Sequence, residues 1–243
     1  MNKILLSLLL AGGVQNSFAM QGGGAAQFGA VSSSETDTMP CSLTDHEKLL
    51  IISAETGNLA NVKLLLQKGV NASAKDVNGW NSGCTALMAA AGRGSIDIVN
   101  LLRTYNQGTG LEERDNLGKT ALMYAAMAGH KNVVHQLIIF GAQVNATDYN
   151  GKTALIWAAE LGHTKTAQKL LKIGSARFNV QDNEGFTPLM MASLNGHIEI
   201  VKLLVALGAN VKAINNYEHT ARSLAATQSH EEIVDLLSEK KAR

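Results

Sequence analysis

A threonine recurs at positions 85, 120, 153, 187 and 220, at spacings of 35, 33, 34 and 33 residues, and the residues after it recur too. TALMAAA at 85–91 becomes TALMYAA at 120–126 and TALIWAA at 153–159. Self-similarity at such a period identifies a chain of stacked supersecondary units, none of which can bury its apolar face alone. The period therefore limits the fold more than length does. Each unit carries an alanine five residues after the threonine (Ala90, Ala125, Ala158, Ala192, Ala225), then Gly94, Gly129, Gly162 and Gly196, with Ser229 in the last copy. A second apolar pattern follows, such as Ile98, Val99, Leu101 and Leu102, so each unit holds two short amphipathic helices.

Local chemistry sets the boundaries. Threonine is a good N-cap because its hydroxyl accepts from a free N–H of the first turn, and Pro188 follows Thr187 where a missing N–H costs nothing. The glycine after the first helix can close it in the left-handed conformation. Asp-x-x-Gly segments at 115–118, 148–151 and 182–185 have the residues a type I turn favours and lead into the next threonine.

TALMYAAMAGH followed by GAQVNATDYNGKTAL resembles the ankyrin repeat: a Thr-Pro-Leu-His-x-Ala-Ala helix, a Gly-His turn, a Leu-rich second helix and an Asp-x-x-Gly finger. The resemblance runs from about residue 44 to the C-terminus. It implies an all-α ankyrin solenoid of about six helix-turn-helix repeats with β-turn fingers, at about 44–75, 76–114, 115–147, 148–181, 182–214 and 215–243. The family's histidine is replaced by Met88, Met123, Ile156, Met190 and Ser223, and only Pro188 keeps its proline, so apolar packing must take over from that histidine's hydrogen bonds. A divergent first unit has Lys48 at the threonine position with Leu50, Ala54 and Gly57 in phase. Arg222, Glu231, Glu232 and Asp235 make the last unit polar, as expected of caps.

The N-terminus is different. Lys3, the apolar run 4–11 and Ser17-Phe18-Ala19 read as a signal peptide over 1–19, cleaved after Ala19. Even Ile4 to Val14 is only about half of the roughly 20 apolar residues a membrane span needs, so no stable membrane insertion is expected. Residues 20–43, rich in Gly and Ser, read as a flexible leader. The chain is expected to be exported, to a bacterial periplasm or beyond.

Catalytic and metal chemistry find no support in the pattern. His130, His163, His197 and His230 occur once per repeat, and stacked helices about 8 to 10 Å apart cannot bring such residues to one metal ion. They are expected to hydrogen-bond locally at the turn. With 21 Lys plus Arg against 20 Asp plus Glu and no long basic run, nucleic acid is not an expected partner, and no cofactor is implied.

Cys84 lies in a four-residue insertion, because Asp76 to Thr85 is nine residues where Asp115 to Thr120 is five. Cys41 stands seven residues before Lys48. In an exported chain these two cysteines are expected to form a disulfide that pins the first repeat to the array.

The resemblance further implies that function lies on the concave face of fingers and inner helices. The places that vary with the partner hold Val77, Trp80, Leu117, Tyr149 and Phe186 on the fingers and Met127, Leu161 and Leu194 on the inner helices. So apolar a set at solvent positions suggests an interaction site. The chain is thus expected to be a non-enzymatic, monomeric module for a protein partner. The alternative is an enzyme accessory or small-molecule binder using the 80–84 insertion. Tyr124, Trp157 and Met191, beside the core alanines, are expected to pack.

Overall fold

The threonine period becomes a two-layer stack of helices. The computed structural model describes residues 43–76, 83–105 and 110–241. Twelve helices occur among them: α1 (Leu43–Thr56), α2 (Leu59–Gln67), α3 (Ala86–Arg93), α4 (Ile96–Tyr105), α5 (Ala121–Met127), α6 (Lys131–Ile139), α7 (Ala154–Glu160), α8 (Thr164–Lys172), α9 (Pro188–Leu194), α10 (Ile198–Ala206), α11 (Ala221–Thr227) and α12 (Glu231–Lys241). Successive pairs form repeats one to six. Odd-numbered helices pack in one row and even-numbered helices in a second, each pair antiparallel across a tight turn.

The caps behave as their chemistry dictates. The hydroxyls of Thr85, Thr153, Thr187 and Thr220 accept from the N–H three residues on, whereas Thr120 occupies the same place without that bond. In the last repeat Ser223 returns the bond to the Thr220 N–H, completing a capping box. Leu87, Leu122, Leu155 and Leu189, with Met88, Met123, Ile156 and Met190, are buried in every inner repeat. Each such side chain contributes about 1.5 to 3 kcal/mol by leaving water. Apolar packing has therefore replaced the family's histidine, as expected. Two hydroxyls interrupt the core: Thr166, where other repeats have Ile98, Val133 and Ile200, and Ser193, aligned with Ala126 and Ala159, are buried without hydrogen-bond partners.

The ends depart from the pattern. In repeat one α1 is 14 residues long, against seven or eight for the other inner helices, and begins five residues before Lys48. The residues added before the threonine register, Leu43 to Glu47, are mostly polar, and Asp45 puts a negative charge in the first turn, where the helix N-terminus favours it. The first repeat also exposes Leu49, Ile52, Leu59 and Leu64, so its outer face is less polar than a solvent cap requires. The last repeat is polar outside, and it holds the left-handed backbone without glycine at Glu218 (φ 63°) and Ser229 (φ 59°).

The insertion falls between the two bridge partners at the base of one finger. Lys75 bridges Thr85 as Thr147 bridges Thr153, so ten residues separate the partners where six do elsewhere, a difference of four. Asp76 and Cys84 close its base, the Asp76 N–H donating to the Cys84 carbonyl at 2.9 Å.

Candidate functional site

The finger turns are built by their aspartates. Oδ1 of Asp115 accepts from the N–H groups of Leu117 (2.9 Å) and Lys119 (2.7 Å), and that of Asp148 from those of Asn150 and Lys152 (both 2.9 Å). Asp182 does the same with Glu184 and Phe186, and Asn215 with Tyr217 and His219. These side chains are buried. One oxygen thus fixes each turn; the aspartates keep a second oxygen, whereas Asn215 has an amide NH₂ there, buried and without a partner.

What meets that second oxygen differs from repeat to repeat. The Tyr124 hydroxyl donates to Asp115 Oδ2 at 2.8 Å, and the Trp157 indole N–H donates to Asp148 Oδ2 at 3.0 Å. Burial, then nearby Cys84 and Asp115, push the Tyr124 hydroxyl far above its ordinary value, so it remains a donor. At the same register repeat five has Met191, which cannot donate. The Asp182 carboxyl is raised above its ordinary value, chiefly by burial. Tyr124 and Trp157 therefore do more than pack: each ties an inner helix to its finger. Periodicity does not reveal this, because the signal is a donor nine residues after the aspartate.

Adjacent fingers are joined through their backbones. The Tyr149 N–H donates to the Leu117 carbonyl at 3.0 Å, that of Asn183 to Asn150 at 2.9 Å and that of Asn216 to Glu184 at 3.0 Å. The amides of Asn183 and Asn216 donate to the carbonyls of Tyr149 (2.8 Å) and Asn183 (3.0 Å). The finger row from repeat three to repeat six is a hydrogen-bonded strip, already ordered before any partner arrives.

The histidines join repeats rather than closing their own turns. Nε2 of His130 lies 3.0 Å from the Gly92 carbonyl, His163 2.8 Å from Met127, His197 3.0 Å from Glu160 and His230 3.2 Å from Leu194. Each ring thus reaches the end of the preceding inner helix. Burial lowers the His197 ring below its ordinary value, and that family of bonds accounts for the residues without any metal. Among the described residues, no group of three or more His, Cys, Asp or Glu could hold a metal ion. No described helix is long and apolar enough to cross a membrane.

The residues expected to meet a partner divide into three groups. Leu117 (56 % exposed) and Tyr149 (64 % exposed) stand on adjacent fingers, and Met127 and Leu161 are half-buried at the ends of their inner helices. Phe186 and Leu194, at 6 % and 5 % exposed, are not the solvent-facing positions expected of them. The residue before the threonine turns inward in repeats two to five, as Cys84, Lys119 and Lys152 also do, and the Phe186 ring meets Tyr217 of the next finger with centroids 6.3 Å apart. Leu194 closes α9, every residue of which is buried. Val77 and Trp80 lie outside the described residues, as does most of the 80–84 insertion. Cys84 is buried, and burial pushes its thiol up to about 12, while Cys41 lies outside the described residues.

Around Trp157 the inward residues form a charged cluster. The Lys152 ammonium lies 4.4 Å from the centre of the indole and 2.6 Å from Glu160 Oε2, in an ion pair that is mostly buried. The Lys119 ammonium lies 4.9 Å from the same ring.

A stack of paired helices with finger turns, joined from repeat two onward by one histidine per seam, defines a helical repeat scaffold. The chain belongs to the ankyrin-repeat family: the model described as "Ankyrin repeats (3 copies)" matches residues 19–112, 103–182 and 169–243. The chain is 35 % identical over 101 residues to a probable E3 ubiquitin-protein ligase, XBOS33, of Oryza sativa subsp. japonica, covering 41 % of this chain and 18 % of that protein. It is likewise 35 % identical over 101 residues to the E3 ubiquitin-protein ligase XBAT33 of Arabidopsis thaliana, covering 41 % and 19 %. Inversin of Danio rerio is 36 % identical over 66 residues, covering 27 % and 6 %. The chain therefore spans less than a fifth of these relatives' own length. Ankyrin repeats are in general protein–protein interaction modules.

Proposed function

We propose that this chain is a non-enzymatic module that binds a protein partner through the finger and inner-helix face of repeats three and four. One observation carries the reading: two large side chains, Leu117 and Tyr149, are exposed side by side on fingers whose backbones are hydrogen-bonded at 3.0 Å. Apolar groups held out on an ordered strip bind with little ordering cost. Phe186 and Leu194 support the strip from below instead of touching the partner. The full chain and a Leu117→Ser/Tyr149→Ala variant, used in parallel to capture proteins from the native compartment, should differ in one retained protein, lost from a variant with unchanged circular dichroism. Identical sets would refute this face.

We further propose export, with cleavage after Ala19, and a disulfide from Cys84 to Cys41. The pairing rests on the presence of two cysteines in a chain read as exported, with Cys84 at the base of the first finger after repeat one. Alkylation in denaturant without reductant should add no label to protein from its native compartment and two labels after reduction. Two labels before reduction would exclude the bond.

A further inference from the structure

We infer that Lys119 is the anchor for an acidic side chain on the partner, an Asp or Glu flanked by apolar residues, so that the partner meets the array through one carboxylate and the Leu117 and Tyr149 side chains around it. The inference rests on the binding face proposed above and names the chemistry that the face reads.

The observation behind it is an ammonium without a counter-charge. Lys119 is 8 % exposed, yet no carboxylate lies within ion-pair distance of it among the described residues, and its recorded side-chain contact is the Trp157 ring. Its equivalent one repeat later, Lys152, is buried to the same degree and is matched by Glu160 at 2.6 Å. The difference is in the sequence. Glu160 is the seventh residue after Thr153, and the seventh after Thr120 is Met127, so repeat three has the cation without its acid.

The acids nearby are already committed. Asp115 accepts from the N–H groups of Leu117 and Lys119 and from the Tyr124 hydroxyl, and Asp148 from Asn150, Lys152 and Trp157. The three ammonium hydrogens of Lys119 thus have no hydrogen-bonded acceptor among the described residues. The ammonium is not among the buried polar atoms that lack a partner, so it reaches water through the small exposed part of the side chain, and a partner carboxylate arriving there would form a charge-assisted bond partly shielded from solvent.

The surroundings define the rest of the ligand. Lys119 is two residues after Leu117 on the same finger, its ammonium lies over Trp157 of the next repeat, and Tyr149 of that repeat is tied to Leu117 through the backbone, so the cation and the two exposed apolar side chains belong to the same pair of repeats. The ≈ 190 Å³ cavity lined by Gly94, Gly129, His130 and Lys131 lies at the histidine turns, away from this cluster. A face that presents both a charge and exposed apolar side chains suits a protein segment better than a small molecule that needs enclosure.

The test uses the full chain and a Lys119→Met variant, which keeps the aliphatic stem over Trp157 and removes the charge. A displayed random-peptide library is panned on each, and selected peptides are titrated by fluorescence polarisation with their acidic residue intact and changed to the amide. We expect peptides sharing an Asp or Glu beside apolar residues, a loss of about 30-fold or more from either Lys119→Met or the amide exchange, and a thermal midpoint in Lys119→Met equal to or above the parent's. Peptides without a shared acid, or equal binding by the variant, would overturn the anchor while leaving the protein-binding face intact. A library that yields no binder would also overturn it, and the capture comparison above would still decide the face independently. Free glutamate or acetate, titrated alone, should not match the peptides. If either protects the parent and not the variant with no peptide preference, the site takes small carboxylates. A lowered midpoint in Lys119→Met would assign the lysine to structure alone.

Discussion

Asp148→Asn should destabilise the array by about 2 to 4 kcal/mol, whereas Asp182→Asn should be neutral or stabilising at neutral pH. Both aspartates fix the same finger turn through Oδ1, and both are buried. At 148 the second oxygen accepts the Trp157 indole N–H at 3.0 Å, so an amide NH₂ there would set donor against donor. Turning the amide over would set the NH₂ against the N–H groups of Asn150 and Lys152 instead. At 182 the aligned residue is Met191, and no side-chain donor is lost. The Asp182 carboxyl is raised above its ordinary 3.8 chiefly by burial, so the folded chain keeps a proton that the unfolded chain has released. Stability therefore declines as pH rises from about 3.8 through the folded value, and the amide removes that decline. Urea unfolding of the two variants at neutral and acidic pH checks the contrast. Equal costs at both positions would mean that the indole bond contributes nothing. Combining Asp148→Asn with Trp157→Phe isolates that bond, since the cost should shrink once the donor is gone.

The second large effect concerns a close approach. Gly162→Ala is expected to cost well over Gly208→Ala, although both glycines have left-handed backbones (φ 76° and 86°). A Cβ on Gly208 meets nothing within 4 Å, so only the backbone penalty of about 1 to 2 kcal/mol applies. A Cβ on Gly162 would stand 2.6 Å from Cε1 of His197. The ring must then move and release the Glu160 carbonyl, adding about 1 to 3 kcal/mol for a partly buried acceptor left without its donor. In a repeat array such a loss is felt first at one boundary, so amide exchange should accelerate around α7 and α9 before the rest. Similar thermal midpoints for the two variants would show that the ring yields freely.

The repeat number, the helix caps and the finger turns are legible in the sequence because each depends on contacts between residues a few positions apart. Thr187 and Pro188 announce α9 without reference to anything distant, and Asp148 with Gly151 announces its turn. Phe186 is harder to read. By register it stands on a finger beside solvent, but its burial depends on Tyr217, 31 positions later. Leu194 fails for the same reason, since all of α9 is covered by its neighbours. The roles of Tyr124 and Trp157 are visible only once their fingers fold back over them. The missing acid beside Lys119 can be read from the sequence by aligning Met127 with Glu160, but it acquires meaning only when Lys152 is seen paired. The long α1 escapes the ruler because Lys48 marks the register of the repeat and not the start of its helix.

The histidine cross-links have one more consequence. A carbonyl oxygen can only accept, so each of the four rings must carry a hydrogen on Nε2 while its bond to the preceding helix persists. Folding thus selects one tautomer four times over. When two neighbouring repeats part, the ring between them is released to exchange both forms with water. Ring-nitrogen chemical shifts would then read each seam separately: His130 between repeats two and three, His163 between three and four, His197 between four and five, and His230 between five and six. The seam between repeats one and two has Ser95 in the histidine's place and carries no such gauge.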